Sequence, residues 1–432
     1  MKKQFFGIKY DIHIIFILFI LSVILNFDFN GYWFIPGSPI LALDITNFFS
    51  IIYIAFNIKY IKINNYSKLL FILVFIIILS IIKGFPKYSI SCYGEGRYQF
   101  SIVYSIVGLI LVGKYGSYNL TKHLTKVFIL LCILLHLLYV ANLIFNRKLA
   151  FVFFSDSISS SDYGGQSFDP SRGMTYLNNN QAYILLLFFV YFLMARFYYN
   201  KRIKLILTIF GITSLLLGIL SFSRTAIFSL AISIFFYAIL YGNFSKKIKF
   251  LTAVFVLFIS LIFIMSIISP LYLQKLTTIF KYSFSPYTDI TGTAMWRYQG
   301  VVQSFNQFYE APLFGSGFGG RYYFKYKGQN YFVTPHNQYL MLLVKTGIFG
   351  LTIYLLTLSL PLLYILKKPN RLKAFDNKTN FLFSTLIIVV YSLLPFGVGF
   401  ECIPQQYFLL GIFFGLFHDF RFYPQTHIEV KT

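Results

Sequence analysis

Acidic residues are scarce in this chain: 13 Asp and Glu stand against 37 Lys and Arg in 432 residues, and charged residues make up only 12%. Soluble domains carry about 25% charged residues, so a water-soluble globular fold is excluded. Three cysteines, Cys92, Cys132 and Cys402, stand at unrelated spacings that supply neither a disulfide framework nor a metal-ligand pattern. Cys92 and Cys402 fall on the same expected face of the membrane, which leaves a pairing between them open. Walker loops, paired His/Cys metal spacings and a G-x-S-x-G elbow are all missing. Gly315, Gly317 and Gly320 do match G-x-G-x-x-G. No βαβ pattern surrounds them, so they read as turn glycines beside Arg321. No small-residue cleavage site follows the first apolar run, and no internal repeat is evident.

What the chain has in abundance is apolar surface: 57% hydrophobic residues and a mean hydropathy of +0.70. The formal net charge of +24 raises nucleic acid as a partner. The basic residues, however, sit in short clusters between apolar runs, where membrane lipid and topology account for them; nucleic acid is not expected. A span needs about 20 apolar residues. Twelve candidates lie near 12–27, 39–58, 68–83, 98–113, 124–145, 181–199, 203–220, 225–241, 249–269, 348–366, 380–396 and 404–420. The expected fold is therefore an all-α polytopic membrane protein of about 12 transmembrane helices, one membrane domain over 1–432, with a large outer loop carrying short amphipathic helices.

The basic clusters orient it. Lys2, Lys3 and Lys9 precede the first span, and Lys59 with Lys62 follow the second. Lys114, Lys122 and Lys126 follow the fourth, Arg196 to Lys204 the sixth, Lys246 to Lys249 the eighth, and Lys367 to Lys378 the tenth. Every even-numbered junction is short and basic, which places those junctions and both termini in the cytoplasm. The two long polar loops, 146–180 and 270–335, then face outward. So do Arg97, Arg172, Arg224, Arg297, Arg321 and His336, the last being the one histidine of six on that side.

Within the larger loop, Met295, Tyr298, Val301, Val302, Phe305 and Phe308 recur at helical spacing opposite Arg297, Gln303 and Ser304. This pattern predicts an amphipathic helix on the membrane or on the spans. Thr334-Pro335-His336 reads as a helix start with Thr334 as N-cap and Pro335 in the first turn. Asn337–Thr346, interrupted by Lys345, reads as a short interfacial helix that Gly347 hands on to the tenth span.

Arg224, in S-F-S-R-T-A at the outer lip of a span, is costly to place there, and its planar fork suits phosphate oxygens better than Lys does. Snorkelling to headgroups is the competing reading for Arg224 and Arg297. Arg172 and Arg321 stand in loops, where solvated arginines are common. At a helix start the positive dipole end favours neutral imidazole, so His336 is suited to act as a general base. Outer tyrosines such as Tyr163, Tyr176, Tyr322, Tyr323, Tyr326 and Tyr331 either stack on sugar rings or form an interfacial belt. A reaction on the outer face cannot draw on cytoplasmic ATP and needs an activated, membrane-borne donor. Arginines to stabilise a leaving pyrophosphate, and a histidine to take a hydroxyl proton, suit glycosyl transfer from a polyprenyl-pyrophosphate sugar.

From Arg172 to Leu351 the chain resembles the bacterial O-antigen polymerase and O-antigen ligase superfamily. The motifs are R-G-M-T-Y-L-N-N-N-Q-A, S-F-S-R-T-A, W-R-Y-Q-G through A-P-L-F-G-S-G-F-G, and P-H-N-Q-Y-L-M-L-L-V-K-T-G-I-F-G-L. They depart from the family in having Asn-Asn where Pro-Asn is usual and Lys345 where an acid is common. The resemblance implies a metal-independent, inverting glycosyltransferase of the inner membrane that needs no cofactor and uses an undecaprenyl-pyrophosphate-linked oligosaccharide. It implies pyrophosphate binding by Arg224 and Arg297, base catalysis by His336, and lesser substrate contacts from Arg172, Arg321 and Asn337. It also implies lipopolysaccharide or capsule assembly, with a chain-length regulator as a partner. Polymerase is the preferred reading and ligase onto lipid A core the alternative. A flippase or transporter would more often show two similar halves. A different class of polyprenyl-phosphate glycosyltransferase would rely on an acid in the first outer loop, where Asp28 stands.

Overall fold

A computed structural model of the chain describes residues 42–61, 63–144, 199–220, 293–319, 322–326, 329–333 and 337–367, with isolated positions within 185–192, 245–263 and 407–415. Helix α1 spans Ala42–Asn57 and α2 spans Asn65–Tyr88. Helix α3, Ser91–Gln99, runs through a 3₁₀ turn at Phe100–Ile102 into α4, Val103–Tyr115. Helices α5, Ser117–Ile144, and α6, Lys201–Leu220, follow. Beyond them come α7, Thr293–Glu310, strands β1, Tyr322–Tyr326, and β2, Gln329–Val333, and finally α8, Gln338–Lys367.

Helix α2 shows how local sequence sets these elements. Asn64 Oδ1 accepts from Ser67 N at 2.8 Å while Ser67 Oγ accepts from Asn64 N at 2.9 Å, a reciprocal capping box. Its 24 residues give a rod of about 36 Å, enough to cross a hydrocarbon core of about 30 Å. Phe71, Phe75, Ile82 and Phe85 stand exposed along it, as lipid-facing side chains would. Helix α4 is the opposite case. Every residue from Val103 to Val112 is buried, so a segment apolar all round sits in the middle of the bundle.

Three stretches among the described residues are long and apolar enough to cross a membrane: Asn65–Tyr88, Ser91–Tyr115 and Gln338–Leu360. A polytopic helical membrane protein fits these helices. Expected spans 12–27, 225–241 and 380–396 lie outside the described residues. The fourth expected span starts earlier than hydropathy implies, because Ser91–Gln99 is polar yet helical.

The bundle has two distinct ends. At one, Lys114 Nζ donates to Asn57 Oδ1 at 3.3 Å and lies 5.5 Å from the Tyr60 ring centroid, with Lys59 also over Tyr60. At the other, Arg97 Nη1 pairs with Asp44 Oδ2 at 3.0 Å, and Tyr93 donates its hydroxyl to Asp44 Oδ1 at 2.8 Å.

One expectation is corrected here, and one question left open is answered. The polar loop is not purely helical: β1 and β2 form an antiparallel hairpin with Tyr322 opposite Val333 and Tyr326 opposite Gln329. Alternation in Y-Y-F-K-Y and Q-N-Y-F-V, rich in aromatics, favours strand over helix there. Cys92 is a free, buried thiol, so it is not in a disulfide with Cys402.

Candidate functional site

The site is built on a break in α8. Gly347 has φ 74° and ψ −175°, a conformation open essentially to glycine alone. Along one straight helix Tyr339 and Tyr354 would stand about 22 Å apart; their ring centroids are 6.3 Å apart. The helix therefore bends sharply at Gly347, which brings the Tyr339 and Tyr354 rings together. The expected handover at Gly347 is present, as a kink between two helical pieces. For the same reason the apolar stretch Gln338–Leu360 is not a single straight span.

The opening of the break is filled by the loop after α7. Ile348 N donates to Pro312 O at 2.9 Å and Phe349 N to Leu313 O at 3.3 Å; in return Ser316 N donates to Val344 O at 2.8 Å and Gly317 N to Lys345 O at 3.1 Å. Backbone groups that a broken helix would leave unpaired are thus supplied by A-P-L-F-G-S-G-F-G. The same loop is bonded to α2: Phe318 N donates to Ser80 O at 3.1 Å, Ser80 Oγ to Lys345 O at 2.7 Å, and Lys83 Nζ to Gly315 O at 2.5 Å. Gly315 and Gly317 both have positive φ, and a Cβ on Gly84 would lie 2.0 Å from Phe318 O. The turn-glycine reading holds at these positions.

Helix α3 supplies the polar side chains of this region. Lys345, fully buried, places Nζ 3.2 Å from Glu95 Oε2, and the same oxygen accepts Gly319 N at 2.5 Å. One turn further along α3, Gln99 Nε2 donates to Gln338 Oε1 at 3.0 Å, and Gln338 Nε2 donates back to Gln99 Oε1. Both glutamines are buried. In the sequence Lys345 reads only as an interruption of an apolar run, and nothing there points to Glu95. The available signal was a charge inside an apolar run, which requires a buried partner.

Asn337 caps the start of α8: its Oδ1 accepts from Tyr339 N at 2.9 Å and Leu340 N at 3.2 Å, while the expected start at Thr334-Pro335-His336 lies outside the described residues. A carboxamide oxygen reaching the second and third amides satisfies donors that a helix start leaves open. Beyond the cap, Tyr354 Oη lies 3.3 Å from Tyr407 Oη, and Ser105 Oγ donates to Tyr407 O at 2.7 Å.

Helix α7 packs against α8 and both strands. The expected amphipathic helix is there, and of the two expected placements its exposed apolar stripe fits the membrane. Tyr298, Val301, Phe305 and Tyr309 are exposed, while Gly300 and Ser304 are buried and Ser304 Oγ donates to Gly300 O at 2.6 Å. Small residues let α7 approach the bundle closely, leaving the large apolar stripe for an apolar exterior. The structure thus brings the helix bearing Arg297, the hairpin that follows Arg321, and the capped start of α8 beside His336 into one assembly. Arg172, Arg224, Arg321 and His336 themselves lie outside the described residues.

This arrangement defines a helical membrane protein with a glycine-rich loop seated in a broken helix. A family model described as O-antigen ligase matches residues 209–355, a stretch that takes in Arg224, Arg297, Arg321, His336 and Asn337 and leaves Arg172 outside. Over that stretch the chain is similar to the O-antigen ligase and polymerase superfamily, whose members act on polyprenyl-linked glycans in membranes. No curated protein matches the chain.

Proposed function

We propose that this protein transfers a glycan from undecaprenyl pyrophosphate onto an acceptor sugar hydroxyl at the outer face of the inner membrane, and that it does so as a polymerase. The observation that carries the reading is the family match over 209–355, which contains the Ser-Arg, Trp-Arg, Pro-x-x-Gly-x-Gly and His-Asn motifs in one run. The gathering of α7, the glycine loop and the start of α8 supports it.

In the proposed reaction His336 removes the proton from the acceptor hydroxyl. The oxygen forms a bond to the anomeric carbon from the side opposite the carrier, giving inversion. The bond from that carbon to the pyrophosphate oxygen breaks, and the electron pair leaves with undecaprenyl pyrophosphate. Arg224 and Arg297 stabilise the charge that develops there. The chemistry draws on no metal or cofactor. Arg172 and Arg321 contact the glycan, and Asn337, whose Oδ1 caps α8, contributes through its amide nitrogen. Lys59 and Lys114 share one end of the bundle and the glycine loop joins the other. This separation supports a cytoplasmic basic end, cytoplasmic termini and an outward site. A chain-length regulator as partner rests on the family resemblance alone.

The family description favours a second reading, ligation of finished polymer to lipid A core. Proteoliposomes containing the full chain and lipid-linked repeat units, with and without lipid A core, distinguish the two. A ladder of polymer on the lipid carrier supports polymerase. Glycan appearing only on the core lipid supports ligase, and consumption of neither acceptor contradicts both.

A further inference from the structure

Glu95 joins three pieces of the chain that are distant in sequence. Its Oε2 meets Lys345 Nζ on the outer piece of α8 at 3.2 Å and Gly319 N on the glycine loop at 2.5 Å, while its backbone belongs to α3. Lys345 is fully buried and the Glu95 side chain is 9% exposed. A buried ion pair is weak as a source of stability, because desolvation offsets attraction; its best-attested use is to fix one register among alternatives. Register is what this location requires. The piece Gln338–Thr346 is only about 14 Å long, is separated from the rest of its helix at Gly347, and is held by the glycine loop and α2 at its Val344 and Lys345 carbonyls. Two ties hold it to α3: Glu95 to Lys345, and Gln99 to Gln338. Residues 95 and 99 share one face of α3, and residues 338 and 345 share one face of α8.

We propose that Glu95 and Lys345 are positioning residues that lock the outer piece of α8, together with the glycine loop, onto α3, and so set the geometry in which transfer occurs. Neither is a catalytic residue. The consequence for transfer rests on the proposed function; the clasp itself does not.

A native thiol reports on the clasp independently of activity. Cys92, 1% exposed, lies one turn before Glu95 where Gly319 crosses α3 so closely that a Cβ on Gly319 would come within 2.8 Å of Cys92 Cα. Lifting the loop exposes this thiol. The test uses the full chain with Cys132→Ser and Cys402→Ser, maleimide labelling of Cys92, and transfer kinetics in proteoliposomes with lipid-linked repeat units.

Glu95→Gln keeps an oxygen for Gly319 N but strands the Lys345 charge. Cys92 labelling should rise and kcat should fall by about 10- to 100-fold, since a displacement of about 1 Å can cost about 10²-fold. Adding Lys345→Met removes the stranded charge. In the double variant Cys92 should again be protected, yet kcat should stay about tenfold low with KM within about twofold, because the side-chain tie from α3 to α8 is gone. A purely structural role would instead restore kcat along with protection. A double variant with wild-type kcat, or one whose Cys92 labels freely, overturns the proposal. Absence of transfer by the unsubstituted chain counts against the proposed reaction, and the Cys92 comparison then judges the clasp by itself.

Discussion

Gly347→Ala places a methyl group at the point where the helix break and the glycine loop meet. The position has φ 74° and ψ −175°, which costs a residue bearing Cβ about 1–3 kcal/mol. The methyl carbon would lie 2.2 Å from Leu313 O and 2.6 Å from Gly315 N, both backbone atoms. Relief therefore requires the loop to withdraw, breaking the bonds from Ile348 N to Pro312 O and from Phe349 N to Leu313 O. Each such bond contributes about 0.5–1.5 kcal/mol, so the substitution should destabilise the fold by about 2–6 kcal/mol. Gly94→Ala is the matched control. Gly94 is in α3, no atom lies within 4 Å of its would-be Cβ, and it is not among the positive-φ glycines. Alanine should stabilise the helix there by up to about 1 kcal/mol. Thermal unfolding in detergent, followed by loss of the monodisperse peak, should give opposite shifts for the two variants. A Gly347→Ala protein that unfolds at the wild-type midpoint would refute the seating of the loop in the break.

Other consequences follow from the same geometry and roles. Glu95→Gln, by leaving Lys345 buried without its partner, should destabilise by about 3–5 kcal/mol, and Glu95→Gln/Lys345→Met by clearly less; the same unfolding assay reads both. Arg224→Lys and Arg297→Lys should each fail to restore polymer display in cells, because Lys keeps charge but loses the bidentate fork. Full display from the paired Lys variants would favour contact with headgroups. Reporter fusions should place Lys201, Lys247 and Arg371 inside and Asp162, Gln303 and Tyr331 outside; an inside signal at Gln303 would remove the outward site.

Parts of this structure were legible in the residues because their causes are local. Gly347 announced a break, since nothing else in Q-Y-L-M-L-L-V-K-T-G-I-F-G-L interrupts helical spacing so sharply. The helix at 293–310 was legible in its apolar period, but its orientation was not. Hydrophobic spacing finds the stripe without saying whether lipid or protein covers it, and in a membrane the large apolar face can turn outward while Gly300 and Ser304 pack inward. The hairpin is not legible in the sequence, because five-residue aromatic strands resemble an interfacial belt. The cap at Asn337 is not legible from residue type alone, because it rests on reach to the Tyr339 and Leu340 amides. The Glu95–Lys345 pair joins residues far apart in the chain, and no local pattern encodes that partnership.

The central claim, transfer of a lipid-linked glycan with His336 as general base, is tested most directly by one rate. Purified wild-type and His336→Ala proteins, matched for insertion and for Cys92 protection, are compared for chain extension of lipid-linked repeat units in proteoliposomes across pH 5.5 to 8, a range set to bracket the ordinary imidazole pKa of about 6.5. Loss of a positioned base should lower the rate by about 10²–10⁴-fold. The wild-type rate should fall as pH drops through the imidazole range, and chelators should leave it unchanged. Wild-type-like extension by a properly inserted His336→Ala protein would contradict the account.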